Sequence, residues 1–185
     1  MLKVKKLLST RIGLLSFLLV CLWMKSMIAY FSVFNLRGVG TAEFILMIIN
    51  PIGFTAICFT ILLFIRRTSL FYLSVFAVSV LLNFLLYLNI LYYREFTDFV
   101  TIDTLTGGAG VFQHGFDFGS VPVHLFDFVY WIDIVVIIIL LLLKKIKFDS
   151  EYMKFSDSFG YFSLSVAVFG INLWFAEFNK HQLIS

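Results

Sequence analysis

The sequence predicts an all-α integral membrane protein. Hydrophobic residues make up 61% of the 185 residues, and charged residues only 14%. The apolar residues form long runs, without the alternation that is typical of a membrane β-barrel. Because lipid cannot satisfy backbone polar groups, runs of about 20 apolar residues are expected to cross the bilayer as helices. A soluble domain of this length could not cover so much apolar surface.

Five runs are long enough to span the bilayer, and they predict a single transmembrane domain over residues 1–185. We place the spans near 12–34, 43–65, 69–92, 125–143 and 158–178. The basic residues before the first span are also typical of a signal peptide. That run continues to Phe34 without an A-x-A-like cleavage site, so a retained span is favoured.

The basic residues predict the orientation of the spans. They flank the first span and fill the second and fourth loops: Lys3, Lys5, Lys6, Arg11, Arg66, Arg67, Lys144, Lys145, Lys147 and Lys154. The other side carries only Arg37, Arg94 and Lys180. Because short loops rich in Lys and Arg stay in the cytoplasm, we expect a cytoplasmic N-terminus and an extracellular C-terminus.

The first two spans each contain one interruption. Lys25 lies slightly beyond the middle of span one, where an ionisable side chain indicates an ion pair or a functional site, unless it extends to the interface. In span two, Asn50 is followed by Pro51 and Gly53, which predict a kink. A packing kink is favoured over a ligand site.

The third span continues into a charged, aromatic segment. On a helix, its polar residues share one narrow stripe: Asn83, Tyr87, Arg94, Asp98 and Thr101. Arg94 and Asp98 have the i,i+4 spacing of a local ion pair. We expect the helix to end or turn near residues 100–103. The outer segment, residues 94–124, interleaves Phe with Gly and is expected to lie at the membrane interface with helical and loop structure.

The fourth span carries two carboxylates, Asp127 and Asp133, about 120° apart around a helix. Both are expected to face the bundle. They could form an acid–base or cation site, but Lys25 and Arg94 are available as partners, so structural pairing is favoured.

The fifth span carries small residues at helical spacing, which predict a seam for close packing against a neighbouring helix. The seam consists of Gly160, Ser163, Ala167, Gly170 and Trp174. Asn172 and Glu177 lie near the outer end of this span.

Polar residues inside the spans are distributed asymmetrically. With the predicted orientation, seven polar or charged residues fall at the centre or in the outer half of the membrane: Lys25, Asn50, Arg94, Asp127, Asp133, Asn172 and Glu177. The asymmetry predicts a polar pocket that opens to the outer leaflet and that suits a lipid headgroup or the seating of an extracellular domain. The candidate residues are Lys25, Asn50, Tyr87, Arg94, Asp98, Thr101, Asp127, Asp133 and Glu177.

The sequence contains no recognisable catalytic apparatus. His114, His124 and His181 lack the spacing of metal ligands, and no nucleophile elbow or C-x-x-C motif is present. No basic aromatic surface indicates nucleic-acid binding. We therefore expect no catalytic residue, metal or cofactor in this chain.

Several stretches resemble the N-terminal membrane region of the lipoteichoic acid synthase family. They are FLLYLNILYYREFTDFVTIDTL, IINPIGF, HLFDFVYWID and NLWFAEFNKHQLIS. The resemblance covers nearly the whole chain, and its FxDFxT and DFVYxID patterns are fairly specific. It implies a Gram-positive cell-membrane protein that takes part in cell-wall lipoteichoic acid biosynthesis.

The resemblance also implies an activity and a partner domain. Enzymes of this family polymerise glycerol phosphate from phosphatidylglycerol, through an extracellular sulfatase-like domain that follows the fifth span. The catalytic threonine and the manganese ion belong to that domain. We therefore expect this chain to be the membrane region of a longer protein, with phosphatidylglycerol or another anionic lipid as its partner. Oligomeric state and the choice between a synthase and a primase-like relative stay open.

Two other functions remain open from the sequence. The membrane region of a phosphoethanolamine transferase has the same architecture, although the DFVYxID pattern argues against it. A non-catalytic binding or regulatory protein could use the predicted small-residue seam to contact a separate partner.

Overall fold

The structure is a computed structural model that describes residues 10–36, 40–97, 124–142 and 152–183, and every regular element in these ranges is helical. The prediction of an all-α chain is confirmed for this part of the protein. The α-helices are α1 (Arg11–Ser32), α2 (Thr41–Thr60), α3 (Thr68–Phe96), α4 (Ile132–Leu142) and α5 (Phe155–Leu183). One short 3-10 helix, Ile61–Phe64, follows α2, and another, Leu125–Trp131, precedes α4.

Four helices in the described ranges are long and apolar enough to cross a membrane. They are Arg11–Ser32, Phe44–Phe64, Thr68–Phe96 and Phe155–Phe178. The predicted fourth span, near 125–143, is divided between a 3-10 helix and the eleven-residue α4. The described residues of this span are therefore helical from Leu125 to Leu142, and its crossing of the membrane stays a prediction.

Helix α2 packs against α1, α3 and α5, and α1 also packs against α3. The 3-10 helix before α4 packs against α3. The largest buried cluster joins α1, α2 and α3, and includes Leu14, Leu18, Phe59, Phe71 and Val75. This arrangement places polar residues of α1, α3 and the α4 region on neighbouring surfaces.

Loop residues at one end of the bundle are held by Arg11. Its side chain is 3% exposed and donates hydrogen bonds to the carbonyls of Ile65 and Arg66. The guanidinium also lies 4.5 Å from the centre of the Phe71 ring. We call this the Arg66 end of the bundle, and the opposite one the Arg94 end.

Helix α3 ends earlier than predicted. Its last helical residue is Phe96, and Thr97 adopts a left-handed conformation with φ 53° while its N–H bonds to the Tyr93 carbonyl. A left-handed residue closes the last helical turn and cannot continue it. The expected end near residues 100–103 is therefore wrong, because this local conformation terminates the helix first.

The interface between α2 and α5 combines one close approach with a line of polar contacts. A Cβ atom on Gly53 would lie 3.2 Å from the Cα of Phe169, so the glycine allows the two backbones to approach. Asn172 donates to Asn50 at 3.0 Å on one side of this point. On the other side, the Thr60 and Ser165 hydroxyl oxygens lie 3.3 Å apart. The interpretation of this part of α2 as a packing feature agrees with these contacts.

The predicted small-residue seam of α5 is not the face that packs against α2. Gly160, Ser163, Ala167 and Gly170 are exposed, and Trp174 is 67% exposed. The packed face carries Ser158, Ser165 and Asn172, which are all buried. The prediction is wrong for contacts among the described residues. The small residue at the contact is Gly53 of α2, and it lies against Phe169 of α5.

Enlarging Gly53 is expected to destabilise the bundle. In Gly53→Leu, the new side chain must displace Phe169 or separate α2 from α5, and overpacking of this kind costs about 1–3 kcal/mol. Gly170→Leu is the matched control, because no atom lies within 4 Å of its Cβ position. Equilibrium unfolding in mixed micelles should show a loss for the first variant only. Equal effects would contradict the close-packing role.

Candidate functional site

Three polar side chains from separate helices meet inside the bundle. Lys25 of α1, Asn83 of α3 and Asp133 of α4 are 3%, 2% and 4% exposed. The Lys25 ammonium donates to the Asn83 side-chain oxygen at 2.5 Å and forms a salt bridge with Asp133. We call these residues the buried triad. Burying an ammonium and a carboxylate is tolerated when they pair and when further hydrogen bonds surround them.

The helix backbones contribute to the buried triad as well. Asn83 donates to the Ser79 carbonyl at 2.8 Å, which orients the amide oxygen toward Lys25. The Ile134 N–H donates to the same Asp133 oxygen that accepts from Lys25. Asp133 lies in the first turn of α4, where a helix favours negative charge. The triad therefore fixes the start of α4 against both α1 and α3.

A second polar cluster lies toward the Arg94 end. Arg94 of α3 donates two hydrogen bonds to the carboxylate oxygens of Asp127, at 2.7 and 2.6 Å. Tyr87 donates to Asp127 at 3.3 Å, and the His124 N–H donates to it at 3.0 Å. We call Tyr87, Arg94 and Asp127 the outer cluster. Its carboxylate both neutralises Arg94 and caps the 3-10 helix Leu125–Trp131.

Aromatic side chains surround the outer cluster. Tyr87 packs against Tyr130 and Trp131, with ring centroids 6.4 and 6.1 Å apart. Phe34 contacts Tyr93 edge to face at 4.8 Å, and the Tyr93 hydroxyl donates to the Phe34 carbonyl. Tyrosine and tryptophan are enriched where membrane meets water. Their concentration here is typical of an interfacial layer.

The structure divides the predicted candidates among separate places. Lys25 and Asp133 belong to the buried triad, while Tyr87, Arg94 and Asp127 form the outer cluster. Asn50 bonds to Asn172 at the α2–α5 interface, and Glu177 is exposed on α5. Asp98 and Thr101 lie outside the described residues, as does most of the predicted outer segment, 94–124.

Among the described residues, both carboxylates of the predicted fourth span form ion pairs, as the favoured interpretation expected. Asp133 pairs with Lys25, and Asp127 pairs with Arg94. The polar stripe on α3 contains the residues that α3 contributes to both sites. Asn83 belongs to the buried triad, and Tyr87 and Arg94 belong to the outer cluster. Asn83 was nevertheless absent from the candidate site residues. The cap formed by Asp127 was also missed, since a 3-10 helix has no strong sequence signature.

The two sites differ in what they can do chemically. The buried triad is closed to water and acts as a fixed connection between helices. In the outer cluster, Arg94 remains 15% exposed at its side chain, and an arginine fork is suited to carboxylate and phosphate groups. Among the described residues, no group of three or more His, Cys, Asp or Glu side chains could hold a metal ion.

Comparison with known proteins gives a consistent result. The family model described as the lipoteichoic acid synthase N-terminal domain matches residues 1–185. Lipoteichoic acid synthases of Staphylococcus aureus strains USA300, NCTC 8325 / PS 47 and COL are each 32% identical over an alignment of 182 residues that covers 95% of this chain. The chain spans only 27% of the length of these relatives. No solved structure matches it.

These matches confirm the resemblance seen in the sequence motifs. The family model covers the whole chain, including the α3 segment with Arg94 and the DFVYxID segment with Asp127 and Asp133. Both ion pairs are therefore formed within the matched region. This chain belongs to the lipoteichoic acid synthase N-terminal domain family.

Proposed function

We propose that this chain is the membrane domain of a lipoteichoic acid synthase-like phosphoglycerol transferase. It anchors an extracellular catalytic domain of the same parent protein and presents phosphatidylglycerol from the outer leaflet. The observation that carries the proposal is the outer cluster. There, a partly exposed Arg94 is fixed within an aromatic layer by its two hydrogen bonds to Asp127.

The lipid role follows from the chemistry of this position. The headgroup of phosphatidylglycerol is anionic, and a guanidinium has five N–H groups, of which Asp127 accepts two, so Arg94 can bind Asp127 and phosphate oxygens together. The aromatic layer favours a location of Arg94 at headgroup depth. Asp127 restrains the guanidinium in one orientation before lipid arrives, which reduces the ordering cost of binding.

The proposed topology has five spans, with the N-terminus in the cytoplasm and the C-terminus outside. Four helices have the required length. The aliphatic run of α4 continues in the sequence through Leu143 to the lysines at 144 and 145, which supports a fifth crossing. The basic loops support the orientation. It places Arg94 on the outer side, where the catalytic domain is proposed to work.

Replacing Arg94 in the full-length parent enzyme tests lipid presentation. Arg94→Lys keeps the positive charge but loses the two-pronged geometry, so we expect glycerol phosphate polymer per enzyme molecule to fall about tenfold, the effect of roughly 1.4 kcal/mol. The measurement is polymer synthesis from phosphatidylglycerol in vesicles, normalised to folded protein. Glu95→Gln is the control, because this neighbouring side chain is exposed.

Normalised activity separates lipid presentation from anchoring. Unchanged polymer synthesis in Arg94→Lys and Arg94→Ala, at unchanged protein level, would eliminate the lipid role and leave anchoring alone. A fall in activity that follows the fall in protein level would also assign Arg94 a purely structural role.

Two rival functions have distinct signatures. For a phosphoethanolamine transferase, lipid that copurifies with the membrane domain would be phosphatidylethanolamine instead of phosphatidylglycerol. The relatives are named lipoteichoic acid synthases, which favours the proposed function over this rival. A binding protein for a separate partner is favoured by the exposed small residues of α5, such as Gly160 and Gly170. It would lack a sulfatase-like domain in its parent reading frame.

A further inference from the structure

A narrow groove lies between α1 and α5, with α2 as its floor. Its volume is about 180 Å³. It is lined by Ile12, Leu15, Ser16, Leu19, Ala56, Phe59, Thr60, Leu63, Tyr161, Leu164 and Ser165. Floor residues such as Phe59 and Leu63 are buried, whereas Ser16 and Leu164 on the walls are exposed. The groove is therefore half-open toward the side of the bundle, where lipid chains lie.

The groove ends near the basic surface at the Arg66 end. Leu63 lines the groove, and the exposed Arg66 and Arg67 follow it within four residues. Arg11, next to the lining residue Ile12, donates to the Arg66 carbonyl and holds this loop beside the groove. Lys154, also exposed, precedes α5 at the same end.

The lining of the groove and the charge at its end select its occupant. The lining is mostly apolar, and the exposed Arg66 and Arg67 follow the lining residue Leu63 in the chain. This combination matches the acyl chain and the anionic headgroup of one phospholipid. The Thr60 and Ser165 hydroxyls donate to the carbonyls of Ala56 and Tyr161, respectively, so these two lining groups do not require a polar ligand.

We propose that this groove holds one acyl chain of an anionic phospholipid, whose headgroup lies against Arg66 and Arg67. The apolar lining accepts the chain, and the two guanidinium groups select for negative charge. This lipid is bound at the end of the bundle opposite the outer cluster. It is therefore a structural lipid, separate from the one presented under the proposed function, and either proposal can fail without the other.

Retention of lipid by the purified 185-residue protein tests the proposal. The protein is placed in nanodiscs with equal amounts of phosphatidylglycerol and phosphatidylcholine, and native mass spectrometry counts the lipids retained after release. Ser16→Phe fills the groove from an exposed position. Val20→Phe is the matched control, because it adds the same ring to an exposed position of α1 that does not line the groove.

The wild-type protein is expected to retain phosphatidylglycerol in preference to phosphatidylcholine. Ser16→Phe should lose this retained lipid, and Val20→Phe should keep it. Each basic residue near an anionic lipid contributes a factor of about five, so Arg66→Gln/Arg67→Gln should lower the preference about 25-fold. Far-UV circular dichroism should show unchanged helix content in every variant.

Three results would overturn the proposal. Equal retention by Ser16→Phe and Val20→Phe would place the lipid elsewhere. An unchanged preference in the double arginine variant would remove the anionic selectivity. Absence of retained lipid in the wild-type protein would show that the groove does not hold a lipid.

Discussion

Lys25→Met is expected to destabilise the bundle by about 3–5 kcal/mol, the usual cost of removing one partner from a buried ion pair. The substitution leaves the Asp133 carboxylate buried at 4% exposure without its cation, and leaves the Asn83 oxygen without that donor. Water cannot replace the ammonium at this depth. The loss should therefore exceed that of any exposed substitution in the same helix.

Equilibrium unfolding in mixed micelles, followed by far-UV circular dichroism, measures this effect. Lys154→Met is the matched control, because the same side chain is changed at an exposed position. In Lys25→Met/Asp133→Leu, both charges are replaced by apolar groups, and most of the stability should return. A single variant within about 0.5 kcal/mol of wild type would refute a structural role for the triad.

Asp127→Ala is expected to have the second largest effect, a loss of about 2–5 kcal/mol in the same unfolding measurement. The substitution removes the acceptor for both Arg94 hydrogen bonds, for the Tyr87 hydroxyl and for the His124 N–H. Asp127→Asn should lose less, because its amide oxygen can still cap the 3-10 helix although the charge is gone.

A double-mutant cycle isolates the ion pair from the cap. Arg94→Ala and Asp127→Ala should be coupled by more than about 1 kcal/mol, since contacting charges are not additive. The same cycle between Glu95→Ala and Asp127→Ala serves as the control and should show additivity, because Glu95 is exposed on α3. Equal coupling in both cycles would mean that the Arg94–Asp127 contact contributes nothing specific.

Composition was sufficient to predict the fold class, and helical geometry predicted part of the site. The stripe of Asn83, Tyr87 and Arg94 follows from a turn of about 100° per residue, and in the structure these side chains all reach the two polar sites. Charge matching predicted that Lys25 and Arg94 would pair with the carboxylates. The resemblance of the motifs to the family was likewise confirmed by the family model.

Other features depend on packing that periodicity does not encode. Small residues on α5 indicated a seam for close packing. In the structure, the glycine that allows close packing is Gly53 of α2, and α5 contributes Phe169 to this contact. The assignment of each carboxylate to its cation depends on the 3-10 geometry of the turns between Asp127 and Asp133, which lies at the start of α4. The end of α3 depends on the left-handed conformation of Thr97, a threonine where glycine is the usual signal.

The Arg94–Asp127 contact also has a consequence for how α3 and the α4 region stay together. Its two residues lie within four positions of Thr97 and His124, so these two described residues are held near each other. The ion pair therefore joins the end of α3 directly to the 3-10 helix Leu125–Trp131, independently of the chain that connects them in sequence.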